Sequence, residues 1–253
     1  MGTSGWSYDH WRGLFYPLDV PRSRWFAHYA GYFSSVEINY TFYRLPSEKT
    51  FNRWQEEAPE QFVYALKAPS TITHLKKLRR PEEALHRFLE RARLLKDKLG
   101  PILYQLPPNW HCNAQRLGEF LALLPSDLQH VVEFRDQSWH CDEVLKLLRE
   151  KGVSFCIVSL PDFSCPSVVT SSTVYIRMHG TGVKYGGRYT GEQLRGWASR
   201  VLSFVKQGND TFVYFNNDAH AYAVENAWEL RHLLEQPMGS DDAERSNAIP
   251  EAE

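Results

Sequence analysis

The chain has 253 residues, of which 43% are hydrophobic and 14% aromatic, with a formal net charge of −1. That ordinary balance announces no nucleic-acid partner, although it leaves a local basic patch open. No apolar run is long enough to span a membrane, no signal peptide opens the chain, and Cys112, Cys141, Cys156 and Cys165 form no CxxC pair, so a cytoplasmic protein with reduced thiols and no structural zinc is expected.

Taken in order, strand and helix patterns alternate. The strand Gly2–Trp6 precedes the helix Arg22–Tyr32, which carries Trp25, Phe26, Tyr29 and Phe33 at helical spacing. The strand Ser35–Tyr40 follows, and Ser47 with Thr50 opens the helix Glu48–Glu57. Phe62–Lys67 leads to Glu82–Leu99, where Leu85, Phe88, Leu89, Ala92 and Leu95 share a face. Pro101–Leu106 leads to Ala114–Leu124, and His130–Arg135 to Cys141–Lys151. Val153–Ser159 is followed by a Ser- and Pro-rich stretch, 161–172, without helical period. Thr173–His179 precedes the helix Gly191–Lys206, and Thr211–Asn217 precedes Ala221–Leu234.

Eight such units over about 235 residues predict an α/β chain with a parallel sheet closed as a single (β/α)8 TIM-barrel-like domain. The helix after strand six should be short or missing. The barrel is expected over residues 1–235, and the polar, acidic segment 236–253 is expected to be disordered.

Side chains alternate along a strand, so the apolar face sent to the helices decides what points inward. On that rule Glu37 and Asn39, Lys67, Gln105, Glu133 and Arg135, Tyr175, Arg177 and His179, and Asn216 and Asp218 face in, with Asn217 at the rim. Three carboxylates, three cations and an imidazole should then converge at the C-terminal mouth. The bland reading is a salt-bridged plug closing the barrel. The functional reading rests on barrel layers being normally apolar, so that charge gathered at one end marks a site. Aromatic residues crowd the same loops, among them Trp6, Tyr8, Trp11, Tyr43 and Trp139. They suit either a packed lid or a ring-containing ligand. The glycine-rich segment from Gly180 to Tyr189, with Lys184 and Arg188, suits either a phosphate or a mobile loop. His74, in the loop after strand three, is a further binding candidate.

These pieces resemble the YecE-like family, domain-of-unknown-function family 72. The matching residues are Gly2-Thr3-Ser4-Gly5-Trp6, Trp11-Arg12-Gly13, Glu37-Ile38-Asn39 with Thr41-Phe42-Tyr43, Lys67-Ala68-Pro69 with Thr73-His74, and Gln105-Leu106-Pro107-Pro108. Glu133-Phe134-Arg135 with Ser138-Trp139, Arg177-Met178-His179-Gly180, and Phe215-Asn216-Asn217-Asp218 complete the set, in order. The resemblance implies a TIM-barrel-like fold. The family's activity is unassigned, so it carries over no catalytic residue. Only Met1 precedes the Gly-Thr-Ser-Gly-Trp motif, where the family usually has several apolar residues, so a short first strand is expected.

Three functions compete. The first is an enzyme, of a phosphodiester-hydrolase type, acting on a phosphate-bearing or nucleotide-like substrate. Glu37, Glu133, His179 and Asp218 would be catalytic, with Asn39, Tyr43, Lys67, His74, Gln105, Arg135, Trp139, Arg177 and Asn217 binding substrate. A variant places a divalent metal on the four catalytic residues. The second is a non-catalytic binder of single-stranded nucleic acid or a metabolite. The third is a glycoside-type hydrolase using Glu37 and Glu133.

Overall fold

In a parallel barrel each strand buries one face against helices and the other against its fellow strands, so two apolar sets must separate. A computed structural model describes residues 1–182 and 185–235, and in it they do. The strands are β1 (Gly2–Thr3), β2 (Ser35–Ile38), β3 (Val63–Lys67), β4 (Leu99–Gln105), β5 (His130–Glu133), β6 (Ser154–Ser159), β7 (Thr173–Met178) and β8 (Asp210–Phe215). All pairs are parallel, in the order β1-β8-β7-β6-β5-β4-β3-β2. The helices are α1 (Trp25–Ala30), α2 (Tyr40–Tyr43), α3 (Glu48–Glu57), α4 (Glu82–Arg93), α5 (Ala114–Leu121), α6 (Asp142–Glu150), α7 (Gly191–Lys206) and α8 (Tyr222–Glu235). No helix follows β6: residues 161–172 run as a loop pinned by the bridge Leu160↔Phe163 and by the Thr170 hydroxyl, which accepts from Phe155 N and donates to the Val153 carbonyl. No helix among the described residues is long and apolar enough to cross a membrane.

Val36, Ile38, Val132, Val174, Ile176, Met178, Val213 and Phe215 join the helices in the large outer core. The interior set is small: Ala65, Leu103, Val131, Cys156, Val158, Tyr175 and Tyr214. It fills the lower part of the barrel, and the polar residues that follow it along each strand form the upper layer. Each buried aliphatic side chain contributes about 1.5–3 kcal/mol, so a register slip that exchanged the two faces would be strongly opposed.

The seam lies between β1 and β2. β1 pairs with β8 through Gly2↔Tyr214 and Thr3↔Phe215, and a single parallel bridge, Ser4↔Glu37, completes the ring. A Cβ at Gly2 would lie 1.9 Å from the Ser35 carbonyl oxygen, so a side chain there would push the first strand off the second. The Tyr29 hydroxyl of α1 stitches the same seam, accepting from Thr3 N (2.9 Å) and donating to the Ser35 carbonyl (3.0 Å).

Several elements stop earlier than the sequence pattern predicts. β1 ends before Gly5, whose φ of 98° turns the chain. β2 ends at Ile38, and α2 winds directly after it. β5 ends at Glu133, and the Asp136 carboxylate caps a turn at Gln137–Trp139 by accepting from Ser138 N. β8 ends at Phe215. The helix expected over Glu82–Leu99 ends at Arg93, because Lys96 takes a φ of 53° before β4 begins at Leu99. An additional helical turn, Thr71–Leu75, follows β3. Segment 236–253 and the pair Val183 and Lys184 lie outside the described residues.

Candidate active site at the barrel mouth

Two carboxylates and two guanidinium groups form the floor of the mouth. Glu37 from β2 is fully buried and takes four hydrogen bonds. Ser4 Oγ donates to Oε1 (2.7 Å) and Tyr175 OH to Oε2 (2.7 Å). Arg177 from β7 donates from Nε to Oε2 (2.9 Å) and from its terminal nitrogen to Oε1 (2.7 Å). The other terminal nitrogen of Arg177 reaches Glu133 Oε2 on β5 (2.7 Å). Arg135 Nε closes on the second oxygen of Glu133, and an Arg135 terminal nitrogen donates to His179 Nε2 (2.8 Å). With Nε2 accepting, the neutral ring carries its proton on Nδ1, so the Asn216 amide 3.1 Å away must present its oxygen there and accept, its nitrogen and oxygen exchanged by a turn of the amide.

Charge in this floor is self-consistent. Burial works to raise the Glu133 carboxyl, but Arg135 and Arg177 outweigh it and hold it well below the carboxylate range. Burial likewise opposes the charge on Arg177, and Glu37 and Glu133 overcome it. His179 is pushed well below the usual imidazole range by burial, then by Arg177 and Arg135, so it is neutral. Burial and the Glu133 charge raise the Cys156 thiol, 3.8 Å from Glu133, so it is no nucleophile.

Above the floor stands Lys67, the last residue of β3. Its Nζ sits 4.1 Å from the centroid of the Phe42 ring and makes no hydrogen bond or ion pair among the described residues. Burial, then Arg177, lowers its pKa to about 8. His74 packs edge-on against the same ring, at 4.8 Å between centroids. Burial, then Lys67, lowers its pKa to about 4. The Gln105 amide, at the end of β4, has no hydrogen-bond partner among the described residues. Neither has Asn39 Oδ1, after β2. Tyr40 and Tyr43, at the two ends of α2, and Tyr185, in the loop after β7, are exposed.

The structure thus brings together Glu37, Glu133, Arg135, Arg177 and His179, with Lys67 and His74 beside them, and puts Gln105 and Asn39 on neighbouring strand ends. It does not bring Asp218 to this cluster. The chain has left β8 by then, and strand parity no longer applies. The Asp218 carbonyl accepts from Trp11 Nε1 (2.9 Å) and its carboxylate lies 3.6 Å from His10. Asn217 turns away too, donating to the Gly187 carbonyl (2.9 Å) and to Asn226 Oδ1 (3.1 Å). Trp139 is fully buried, stacked on Phe134, so it supports the loop from beneath. Tyr43 is 79% exposed and stands at the outer edge.

Most loop aromatics form a packed lid: Trp11 and Tyr16 are fully buried, and Tyr16 stacks on Trp25 at 4.5 Å. Two glycines of the loop after β7, Gly180 and Gly187, serve close backbone approach. A Cβ at Gly180 would lie 1.7 Å from the Gly186 carbonyl oxygen, and one at Gly187 1.9 Å from that of Thr181. Arg188 faces Glu225 and Glu229 of α8 instead of the mouth.

Sequence reasoning missed Ser4 and Tyr175 as partners of Glu37. Tyr175 had a usable signal, since it shares the inward face of β7 with Arg177. Ser4 had none, because its position depends on ring closure. Among the described residues no three of His, Cys, Asp and Glu are grouped to hold a metal ion, and with Arg177 filling both carboxylates the four residues considered for a divalent metal do not form a donor set.

Residues 1–250 match the family described as "Protein of unknown function DUF72". UPF0759 protein YunF of Bacillus subtilis is 23% identical, over 93% of this chain and 94% of its own length. UPF0759 protein YecE of Escherichia coli K12 is 34% identical over 42% of this chain and 40% of its own. Among solved structures, the DUF72 protein TM1631 of Thermotoga maritima superposes with a TM-score of 0.85 at 28% identity, covering 93% of this chain and 98% of that one. The Enterococcus faecalis DUF72 protein EF0366 gives 0.81 at 22% identity, covering 94% and 96%. The chain, with its eight-stranded barrel and its Glu37–Arg177–Glu133 floor, belongs to the DUF72 family.

Proposed function

We propose that the mouth is an active site for a phosphate-bearing, nucleotide-like molecule. The observation that carries this reading is the charge left at Lys67. Lys67, Arg135 and Arg177 stand against Glu37 and Glu133 while His179 is neutral, so three cations against two carboxylates leave one positive charge. That charge rests on an unpaired ammonium at the rim, where an anion completes the balance. Arg135 has a second terminal nitrogen without a partner among the described residues, and Gln105 adds a free amide. Exposed Tyr40, Tyr43 and Tyr185 offer flat faces for a base or sugar.

The chemistry falls to the rim and not to the floor. Glu37 and Glu133 have their oxygens taken by guanidinium, hydroxyl and phenol donors, which leaves neither carboxylate free to reach a substrate proton, and neutral His179 cannot give up an imidazolium proton. His74, held neutral, and Lys67, poised near working pH, are the groups able to move a proton. A glycoside-type reaction needs two independent carboxyl groups, and Glu37 and Glu133 grip one arginine between them.

Titration calorimetry with inorganic phosphate and adenosine monophosphate tests the reading, in wild type and in Lys67→Met. Affinity should fall by more than tenfold in the variant and should weaken in wild type as pH rises through about 8, where Lys67 loses its charge. Hydrolysis of a bis-aryl phosphodiester should disappear in the same variant. Absence of anion binding in wild type sinks the proposal.

A second reading, single-stranded nucleic-acid binding, is favoured by a recess on the outer face beside Tyr40. Arg44, Arg87 and Arg91 line it together with the start of α3. Oligonucleotide affinity that falls steeply with salt and depends on Arg44 and Arg87, without turnover, would support it.

A further inference from the structure

We infer that Lys67 forms a covalent imine with the carbonyl carbon of an anionic aldehyde or ketone, and that the mouth is built to hold that adduct. The inference deepens the proposed function and rests on its anion site.

Geometry carries the argument. An ordinary anion-binding lysine is extended, solvated and paired. Lys67 instead rises from the interior face of β3, above Ala65, and presses its Nζ against the Phe42 ring. Among the described residues no carboxylate oxygen lies within 4.0 Å of that nitrogen, although two carboxylates are buried in the same mouth. Both are taken by arginines. The charged groups facing Lys67 are Arg177 and Arg135, which oppose an ammonium, and Glu133 and Glu37, which favour one; burial and Arg177 prevail over the carboxylates. His74 from the loop after β3 is neutral and adds no attraction. The face of the Phe42 ring lends an ammonium some attraction, but an amine desolvated by its burial and flanked by fixed cations is the arrangement that activates a lysine as a nucleophile. With a pKa of about 8, roughly a quarter of the molecules carry the free amine at pH 7.5, against about 0.1% for an ordinary lysine.

The step balances without any further reagent. The Nζ lone pair adds to the carbonyl carbon while the C=O pair moves to oxygen. The carbinolamine then loses that oxygen as water, which takes with it the two hydrogens the amine brought. His74 is placed to relay a proton, its Nδ1 lying 3.0 Å from the Thr73 hydroxyl and its Nε2 without a partner among the described residues. Protonated at nitrogen, the imine keeps the single positive charge of Lys67, so the balance of the floor is unchanged and the substrate's anionic group still has its counter-charge.

Pyridoxal 5′-phosphate is a suitable probe because it joins an aldehyde to a phosphate. The full-length protein is treated with a limiting amount at pH 7.5, reduced with borohydride, and mapped by peptide mass spectrometry. Lys67 should carry at least tenfold more label than any other lysine, inorganic phosphate should suppress it, and Lys67→Arg should abolish it with unfolding temperature retained. Label spread over surface lysines, with Lys67 not above them, overturns the inference. Pyridoxal lacking the phosphate separates the two proposals. Equal labelling of Lys67 by pyridoxal supports the imine and tells against the anion site. Phosphate-competed binding of the probe without a Lys67 adduct supports the anion site and overturns the imine. Should Lys67→Arg not fold, reductive methylation of wild type with formaldehyde and cyanoborohydride decides the matter. Lys67 should reach half its maximal rate near pH 8, and a midpoint above pH 10 overturns the inference.

Discussion

Glu37→Gln removes one charge from a cluster that water does not reach. The carboxylate takes hydrogen bonds from Ser4, Tyr175 and two nitrogens of Arg177. Glutamine keeps the shape but offers one oxygen, and its amide NH2 must face donors. Arg177 and Arg135 would then share Glu133 alone. Removing one partner of a buried pair costs about 3–5 kcal/mol, because the remaining charge stays buried. For a domain of this size each kcal/mol moves Tm by about 2–4 °C, so the loss should appear as roughly 6–20 °C. Urea denaturation followed by tryptophan fluorescence gives the same quantity as a shift in midpoint at constant slope. The double variant Glu37→Gln/Arg177→Met leaves Glu133 paired with Arg135, so it should lose less than the two single losses added together. A loss from Glu37→Gln below about 1 kcal/mol, the value of an exposed pair, would refute the reasoning, for the floor would then be solvated.

The other predictions concern the same region. The Glu133 carboxyl titrates far lower folded than its unfolded value of about 4.3, so its contribution is complete above that pH and is lost as pH falls through the folded pKa; between pH 6 and pH 3, urea midpoints of wild type should drop more than those of Glu133→Gln, and parallel curves would contradict this. Gly187→Ala meets the Thr181 carbonyl oxygen at 1.9 Å and a φ of 71°, so it should cost about 1–3 kcal/mol and speed hydrogen exchange at Tyr185 N, which donates to the His179 carbonyl; wild-type exchange in the variant would show that the loop does not need its glycines. Trp139→Ala empties a fully buried site and should cost about 3–5 kcal/mol while phosphate affinity of the folded fraction survives; intact stability with lost affinity would mean the ring touches ligand.

Strand parity made much of the mouth readable. Glu37, Lys67, Gln105, Glu133 and Arg177 each lie inside a strand, two residues from an interior apolar or small side chain, so alternation alone points them inward. The rule failed where the chain had already left its strand. Asp218 reads as inward only if β8 runs on past Phe215, and the structure turns it toward His10 and Trp11. Arg135 also lies beyond its strand, yet it reaches Glu133 because its side chain is long. No local pattern distinguishes a carboxylate that will be saturated by a neighbouring arginine from one left free. That depends on which strands become neighbours around the ring, as with Arg177 reaching both Glu37 and Glu133. The lid was ambiguous for the same reason. Trp11 and Tyr43 look alike in sequence, and packing buries one and exposes the other.

The seam between β1 and β2 has a consequence for the order in which the chain can fold during synthesis. From β3 to β8 each strand pairs with the one made just before it, so sheet can grow as the chain emerges. Gly2 and Thr3 are made first, but their ladder partners, Tyr214 and Phe215, arrive more than 200 residues later. The opening strand must wait for the last, a closure of very high sequence separation that makes the final step slow. Until then the ring stands open at Glu37, and the ions of the floor face water on that side. Ribosome-bound chains ending before β8 should therefore protect the middle strands from exchange while the Ser4 amide, which donates to the Phe215 carbonyl, and the Glu37 amide beside it stay open, with both closing together once Phe215 has left the exit tunnel.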